Sequence, residues 1–241
     1  MKKIIVIPAR YKSSRFPGKP LKKIHNRELI LRVADRCLLA INRENIYIAT
    51  ENIKIAKLVK KNNLKVIMTS NKCLTGTDRV AEASRKVKSN IYINVQGDEP
   101  LINHLDIKKI IKAKKKYPNH VICGYAKIGK KEKPQNLDIP KVVFNSKNEL
   151  IYISRAPLPA SKNKIKNKVF YKQVCIYAYN KNELNKFYSQ KKKSFVEKNE
   201  DIELLRFFEF GIKIKMIKLS SGTVAVDRKK DIKIIEKLIK K

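Results

Sequence analysis

Ile5-Val6-Ile7-Pro8-Ala9-Arg10-Tyr11-Lys12-Ser13-Ser14-Arg15-Phe16-Pro17-Gly18-Lys19-Pro20-Leu21 is the stretch on which the reading of this chain turns. An apolar run closed by Pro8 has the pattern of a parallel strand buried on both faces. The carboxyl edge of such a sheet is where open α/β proteins hold ligands. The loop that follows carries charge on Arg10, Arg15 and Lys19 and donors on Ser13, Ser14 and its amides, while Pro17 and Gly18 bend the chain so that these groups converge. Such a loop fits a nucleoside triphosphate, although a basic surface loop in a lysine-rich chain would share its composition. It is not a Walker A loop, because no glycine opens the required spacing ahead of Gly18-Lys19 and Pro20 stands where Ser or Thr belongs.

Around this stretch, 241 residues suffice for one substantial α/β domain, and 43% hydrophobic residues predict a packed core rather than disorder. The formal charge of +36 would attract any polyanion. The lysines, however, are spread along the chain, including the helix backs at Lys108-Lys109, Lys112 and Lys114-Lys115-Lys116, and stacking aromatics are scarce, with no Trp. That distribution reads as solvated surface and argues against nucleic acid as a partner. No stretch reaches the ~20 apolar residues of a membrane span, and the apolar run after Met1 is too short for a signal peptide, so a cytoplasmic protein is expected. Cys37, Cys73, Cys123 and Cys175 form no Cys-x-x-Cys pair and read as buried thiols.

Helical spacing over Glu28 to Leu39, Ile53 to Val59, Asp78 to Val87 and Asp106 to Lys116 alternates with strand patterns at Ile46 to Thr50, Lys65 to Met68, Ile91 to Val95 and Val121 to Ala126. That alternation predicts βαβ units and a largely parallel sheet. Further on, strands are expected at Val142 to Phe144, Leu150 to Ile153, Val174 to Tyr179 and Ile212 to Leu219. Helices are expected at Glu183 to Tyr188, Asp201 to Phe210 and Asp231 to Leu238, and a mobile loop between Pro157 and Lys168. Phe207, Phe208 and Phe210 read as a packing or dimer face, and His25, His104 and His120 as surface or packing residues.

Two acids carry the remaining chemistry. The strand ending at Val95 delivers Gln96-Gly97-Asp98-Glu99-Pro100 to the sheet edge that the first loop occupies, and a carboxylate on such a turn suits Mg²⁺, which prefers hard oxygen donors and substrate phosphates. A turn-capping role for Asp98 is the alternative. Asp227, after Ser221-Gly222-Thr223-Val224-Ala225-Val226, reads either as a second metal ligand or as a helix N-cap, whereas Asp231 fits a first-turn acid.

The chain resembles the 3-deoxy-manno-octulosonate (Kdo) cytidylyltransferases. The motifs that carry the resemblance run over nearly the whole chain: Ile7-Pro8-Ala9-Arg10 with Ser13 to Leu21, then Gly76-Thr77-Asp78-Arg79, Asn94 to Pro100, Lys141-Val142-Val143, Tyr152-Ile153-Ser154-Arg155, Ile176-Tyr177-Ala178-Tyr179 and Val226-Asp227. The resemblance implies a single-domain α/β nucleotidyltransferase fold over residues 1–241, Rossmann-like, with a mostly parallel mixed sheet flanked by helices. It also implies a homodimer with contacts within about residues 150–215. The implied reaction joins CTP to a 3-deoxy-ulosonic sugar acid, giving the CMP-sugar and pyrophosphate for lipopolysaccharide biosynthesis. By carry-over, Ala9, Arg10, Ser13, Arg15, Lys19, Gly76, Thr77 and Arg79 would bind nucleotide. Asp98 and Asp227 would hold Mg²⁺, with Lys19, Asp98 and Asp227 as the catalytic set. Gln96, Arg155, Gln173, Tyr177, Glu200 and Glu203 would face the sugar.

The chain departs from the family pattern on the sugar side. Gln173-Val174-Cys175 stand where His-Leu-Gly is usual, and Glu203-Leu204-Leu205-Arg206 where Glu-Gln-Leu-Arg is usual. Changing which polar group a site offers changes which substrate it accepts. The expected acceptor is therefore Kdo or a relative such as an amino-Kdo or a nonulosonate. The reading from another class is a non-catalytic protein that binds polyanions through its basic surface.

Overall fold

The computed structural model describes residues 1–13, 15–129, 132–163, 168–220 and 224–239, and in it the opening apolar run is the strand β1 (Lys3–Ala9), buried at every residue after Lys3. A two-stranded hairpin follows, β2 (Lys23–Ile24) and β3 (Arg27–Glu28), turned by His25 in the left-handed region at φ 48°. Then come α1 (Leu29–Leu38), β4 (Ile46–Thr50), α2 (Ile53–Lys61), β5 (Lys65–Met68), α3 (Gly76–Lys86), β6 (Ile91–Val95), α4 (His104–Lys116) and β7 (Val121–Lys127). The later part holds β8 (Lys141–Phe144), β9 (Leu150–Ser154), β10 (Tyr171–Tyr179), α5 (Lys181–Ser189), α6 (Phe195–Glu200), α7 (Leu204–Glu209), β11 (Ile214–Lys218) and α8 (Lys229–Leu238).

Among the described residues the strands of the main sheet run β11-β7-β10-β6-β1-β4-β5, with β8 and β9 paired off β10. β1 pairs in parallel with both β4 and β6, β4 with β5, and β11 with β7. The exception is β10, antiparallel to β6 on one side and to β7 on the other. It is a late segment inserted between two earlier strands, and this makes the sheet mixed.

Period-2 strands and period-3.6 helices bury two separate faces. On one, Ile30, Val33, Ile55, Val59, Ile107 and Ile110 of α1, α2 and α4 pack on the sheet. On the other, Val80, Leu184, Leu204 and Phe207 of α3, α5 and α7 do so, with Phe207 stacked on Tyr179 at 5.2 Å. Within the lysine run of α4, Lys114 is buried rather than solvated: its ammonium meets both oxygens of Glu183 at 2.7 Å and ties α4 to α5.

The helix expected over Asp201 to Phe210 is present but shorter, as α7, and the unexpected short helix α6 precedes it. Asp201, at φ 51° and ψ 47°, ends α6, and α7 starts at Leu204. Ser194 and Glu197 begin α6 with a capping box, Ser194 donating its backbone N–H to Glu197 at 3.1 Å. Residues 155–163 hold no helix or strand, and 164–167 lie outside the described residues, as do Ser14 and residues 221–223. No described helix is long and apolar enough to cross a membrane.

Candidate active site

The carboxyl ends of β1 and β6 and the start of α3 meet around one cleft. The turn after β6 comes so close to β1 that a Cβ on Gly97 would lie 2.6 Å from the carbonyl oxygen of Pro8. Helix α3 is fixed by a capping box in which Asp78 accepts the N–H of Thr75 at 2.8 Å and the Thr75 hydroxyl accepts that of Asp78 at 3.1 Å.

Two adjoining cavities open here. The first, about 290 Å³, is lined on the expected nucleotide side by Ala9, Arg10, Ser13, Arg15, Lys19, Gly76 and Arg79. The second, about 260 Å³, is lined on the expected sugar side by Gln96, Arg155, Gln173, Tyr177 and Glu203, and by Cys175. Arg15, Gln96, Asp98, Asp201, Glu203 and Asp227 belong to both linings and form the shared wall.

Lys19 joins three segments in that wall. Its ammonium donates to Asp98 Oδ2 and to the carbonyl of Val226, each at 2.7 Å, while Val226 donates its own N–H to the carbonyl of Asp98 at 2.9 Å. Asp227 sits beside them with Arg15 Nη2 at 3.2 Å. The capping alternative for Asp227 is resolved by Asp231, whose carboxylate accepts the N–H groups of Asp227 at 2.8 Å and Arg228 at 2.7 Å, so α8 is capped without Asp227. Two carboxylates in one wall are a donor set that fits a hard cation carried in by substrate phosphates. Among the described residues no group of three or more His, Cys, Asp and Glu forms a metal cage.

Arg79 faces the first cavity with its charge committed. It pairs with Glu51 at 2.9 Å and donates to the Thr69 hydroxyl, while Glu51 also accepts the N–H of Tyr11 at 2.8 Å. The Arg79–Glu51 pair therefore anchors the loop after β1 to α3. Arg155 is held differently: it donates to the carbonyls of Glu200 at 2.6 Å, Leu137 at 2.7 Å and Asp201 at 3.1 Å. Three neutral carbonyls fix the guanidinium, and the exposed Asp201 carboxylate at 3.9 Å opposes its charge only loosely, so it can still attract a substrate carboxylate.

Gln173, Cys175 and Tyr177 alternate along β10 and share one face, and Gln173 donates to the Tyr177 hydroxyl at 3.1 Å. Burial pushes the Cys175 thiol and the Tyr177 phenol well above their ordinary ranges. Glu203 bridges the halves: it accepts the N–H of Thr77 at 2.9 Å and the amide of Gln96 at 3.0 Å, and burial raises its carboxyl above the ordinary range.

Three expected residues stand off the cavities. Thr77 is fully buried, with its hydroxyl 3.0 Å from that of Tyr179, and lines neither cavity. Glu200 lies behind Arg155, accepting its N–H at 2.8 Å. Leu204, where the family's Gln is replaced, is buried in the core away from both linings, so the departure that touches the sugar side is the one at Gln173 and Cys175. Cys73 also lines the first cavity rather than the core; burial pushes its thiol up to about 12, and all four cysteines are free. Sequence reasoning missed Glu51, Lys193 and Asp201. Lys193 sits in a lysine run that reads as solvated, and the left-handed turn that aims Asp201 has no glycine to announce it.

With this geometry in place, the comparisons with known proteins are specific. The cytidylyltransferase family model matches residues 4–214. The 3-deoxy-manno-octulosonate cytidylyltransferase of Escherichia coli is 36% identical over 229 residues, 94% of this chain and 91% of that one. The 8-amino-3,8-dideoxy-manno-octulosonate cytidylyltransferase of Shewanella frigidimarina is 35% identical, covering 98% of each. A solved structure of CMP:2-keto-3-deoxy-manno-octonic acid synthetase complexed with CTP superposes with a TM-score of 0.91 at 35% identity, covering 99% of this chain and 98% of that one. Fold and sequence likeness agree: the chain belongs to the family of 3-deoxy-manno-octulosonate cytidylyltransferases.

Proposed function

We propose that this enzyme transfers CMP from CTP to the anomeric hydroxyl of 3-deoxy-manno-octulosonate or a close 3-deoxy-ulosonic acid, releasing pyrophosphate and supplying an activated sugar for a surface glycolipid. The observation that carries this is the pair of adjoining cavities with a common wall, cationic on one side and furnished with Arg155, Gln173 and Tyr177 on the other. Arg10, Arg15 and Lys19 neutralise the triphosphate and stabilise the charge that develops on the departing pyrophosphate. Arg155 orients the sugar acid through its carboxylate, and Gln96, pinned by Glu203, stands in the wall where the two substrates meet. Asp98 and Asp227 would hold Mg²⁺, which when bound supplies positive charge to the phosphoryl oxygens. Transfer by direct attack needs no covalent enzyme intermediate.

A cytoplasmic site of action, where CTP is made, goes with this reading, and so does a homodimer. The exposed phenylalanines of the later segment, Phe195, Phe208 and Phe210, offer apolar surface for a second copy.

Incubating the enzyme with CTP, Mg²⁺ and a panel of sugar acids (Kdo, 8-amino-Kdo and a nonulosonate) should give a CMP-sugar with one of the two octulosonates. Inactivity with all of them would refute the assignment, and activity confined to the nonulosonate would redirect it. Gly97→Ala should lower kcat/KM about 10- to 100-fold, because the added methyl must push the end of β1 away from the turn that carries Asp98. Steady-state kinetics with unchanged far-UV circular dichroism would verify this.

A further inference from the structure

Asp201 ends α6 in the left-handed conformation and stands in the wall common to both cavities. Its carboxylate takes the ammonium of Lys193, which lines the nucleotide-side cavity, and lies 3.9 Å from Nη2 of Arg155, which lines the other. The hydrogen bond from Lys193 and the charges of Lys193, Arg155 and Arg15 hold the Asp201 carboxyl below its ordinary range against its partial burial. Asp201, one of four acids that line the nucleotide-side cavity with Asp98, Glu203 and Asp227, is thus shared by cations from both sides. Asp is among the few residues besides Gly that adopt this backbone region readily.

We propose that Asp201 is an internal competitor for the anions of the reaction, a positioning residue that occupies Lys193 and so limits how tightly pyrophosphate is retained after transfer. The proposal rests on the nucleotidyl-transfer reading, which makes pyrophosphate a product. Lys19, Arg15 and Arg79 are already paired with Asp98, Asp227 and Glu51, so in a chain of net charge +36 an unopposed Lys193 would add its hold on a departing polyanion, and slow release limits turnover. A carboxylate within reach of the same ammonium offers it an alternative partner. Lys193 turns to the phosphate when the nucleotide arrives and returns to Asp201 when pyrophosphate leaves, and no covalent bond changes in the exchange. With the Asp201 side chain 69% exposed, solvent screens the pair and keeps the competition moderate.

The test is calorimetric titration of the full-length chain with inorganic pyrophosphate, paired with product inhibition by pyrophosphate during CMP-sugar formation. Asp201→Asn removes the charge while keeping a residue that tolerates the left-handed backbone. It should bind pyrophosphate about three- to fivefold more tightly, with the inhibition constant falling in step. Asp201→Gly should behave alike. In a Lys193→Met background the same replacement should gain little, because the contested ammonium is gone. Unchanged affinity in both Asp201 variants would overturn the proposal, as would an equal gain with and without Lys193, which would indicate only a general change in field. The titration needs no turnover. An enzyme inactive on every sugar acid that still showed the Lys193-dependent gain would refute the reaction and leave the competition between Asp201 and phosphate standing.

Discussion

Asp98→Asn is expected to lower kcat about 10²- to 10³-fold while leaving the fold and the affinity for polyanions intact. The amide keeps the shape of the side chain and an oxygen for Lys19, and the backbone carbonyl of residue 98 still accepts the N–H of Val226. What is lost is the negative charge in the wall between the two cavities, and with it half of the carboxylate pair suited to Mg²⁺. Pyrophosphate release measured across a Mg²⁺ titration reads this directly. A heparin-affinity profile of the same variant separates catalysis from charge, because retention there depends on the lysines. Full activity in Asp98→Asn would remove that residue from the catalytic set.

Arg206→Met should produce the largest loss of stability of any single replacement considered, about 3–5 kcal/mol, or a fall in melting temperature of about 10 °C or more. Arg206 is entirely buried, donates to Glu197 through Nε and Nη2 at 2.7 Å each and to Asp78 through Nη1 at 2.8 Å, and lies 3.8 Å over the ring of Phe187. Its removal strands two carboxylates, and Glu197 is fully buried. The same bonds hold α7 against the start of α3, where Glu203 meets Thr77, so kcat/KM should fall as well. Thermal melts of Arg206→Met and of the double variant Arg206→Met with Glu197→Gln distinguish the cause. If stranded charge is responsible, the double variant recovers a large part of the loss; if lost packing is responsible, it recovers none.

Much of this architecture was legible because it is written in local periodicity. Apolar runs at Ile5 to Ile7 and Ile91 to Val95, each followed by a polar turn, place two loops at one sheet edge, and the structure sets Lys19 on Asp98 there. What was not legible is set by partners distant in sequence. The strand pattern of Tyr171 to Tyr179 is the same whether its neighbours run parallel or antiparallel, so the place of β10 between β6 and β7 has no local signature. Lys114 is one lysine among many until Glu183, 69 residues on, is seen to bury it. Helix α6 carries a start signal in Ser194-x-x-Glu197, but its six residues are too few for a helical apolar period to register. The second cavity needs Gln96, Arg155, Gln173 and Glu203 from four separate segments, and only family likeness links such residues in advance.

The position of β10 also sets an order of events during synthesis. β6 and β7 have no sheet partner between them until residues 171–179 have left the ribosome, so for a long interval each presents an unpaired apolar edge. Closure of the sheet is therefore a non-local step that comes late, the kind of step that slows folding and exposes a chain to aggregation. A lysine-rich surface suits that stage, because like charges repel and disfavour edge-to-edge pairing between half-made sheets of neighbouring chains.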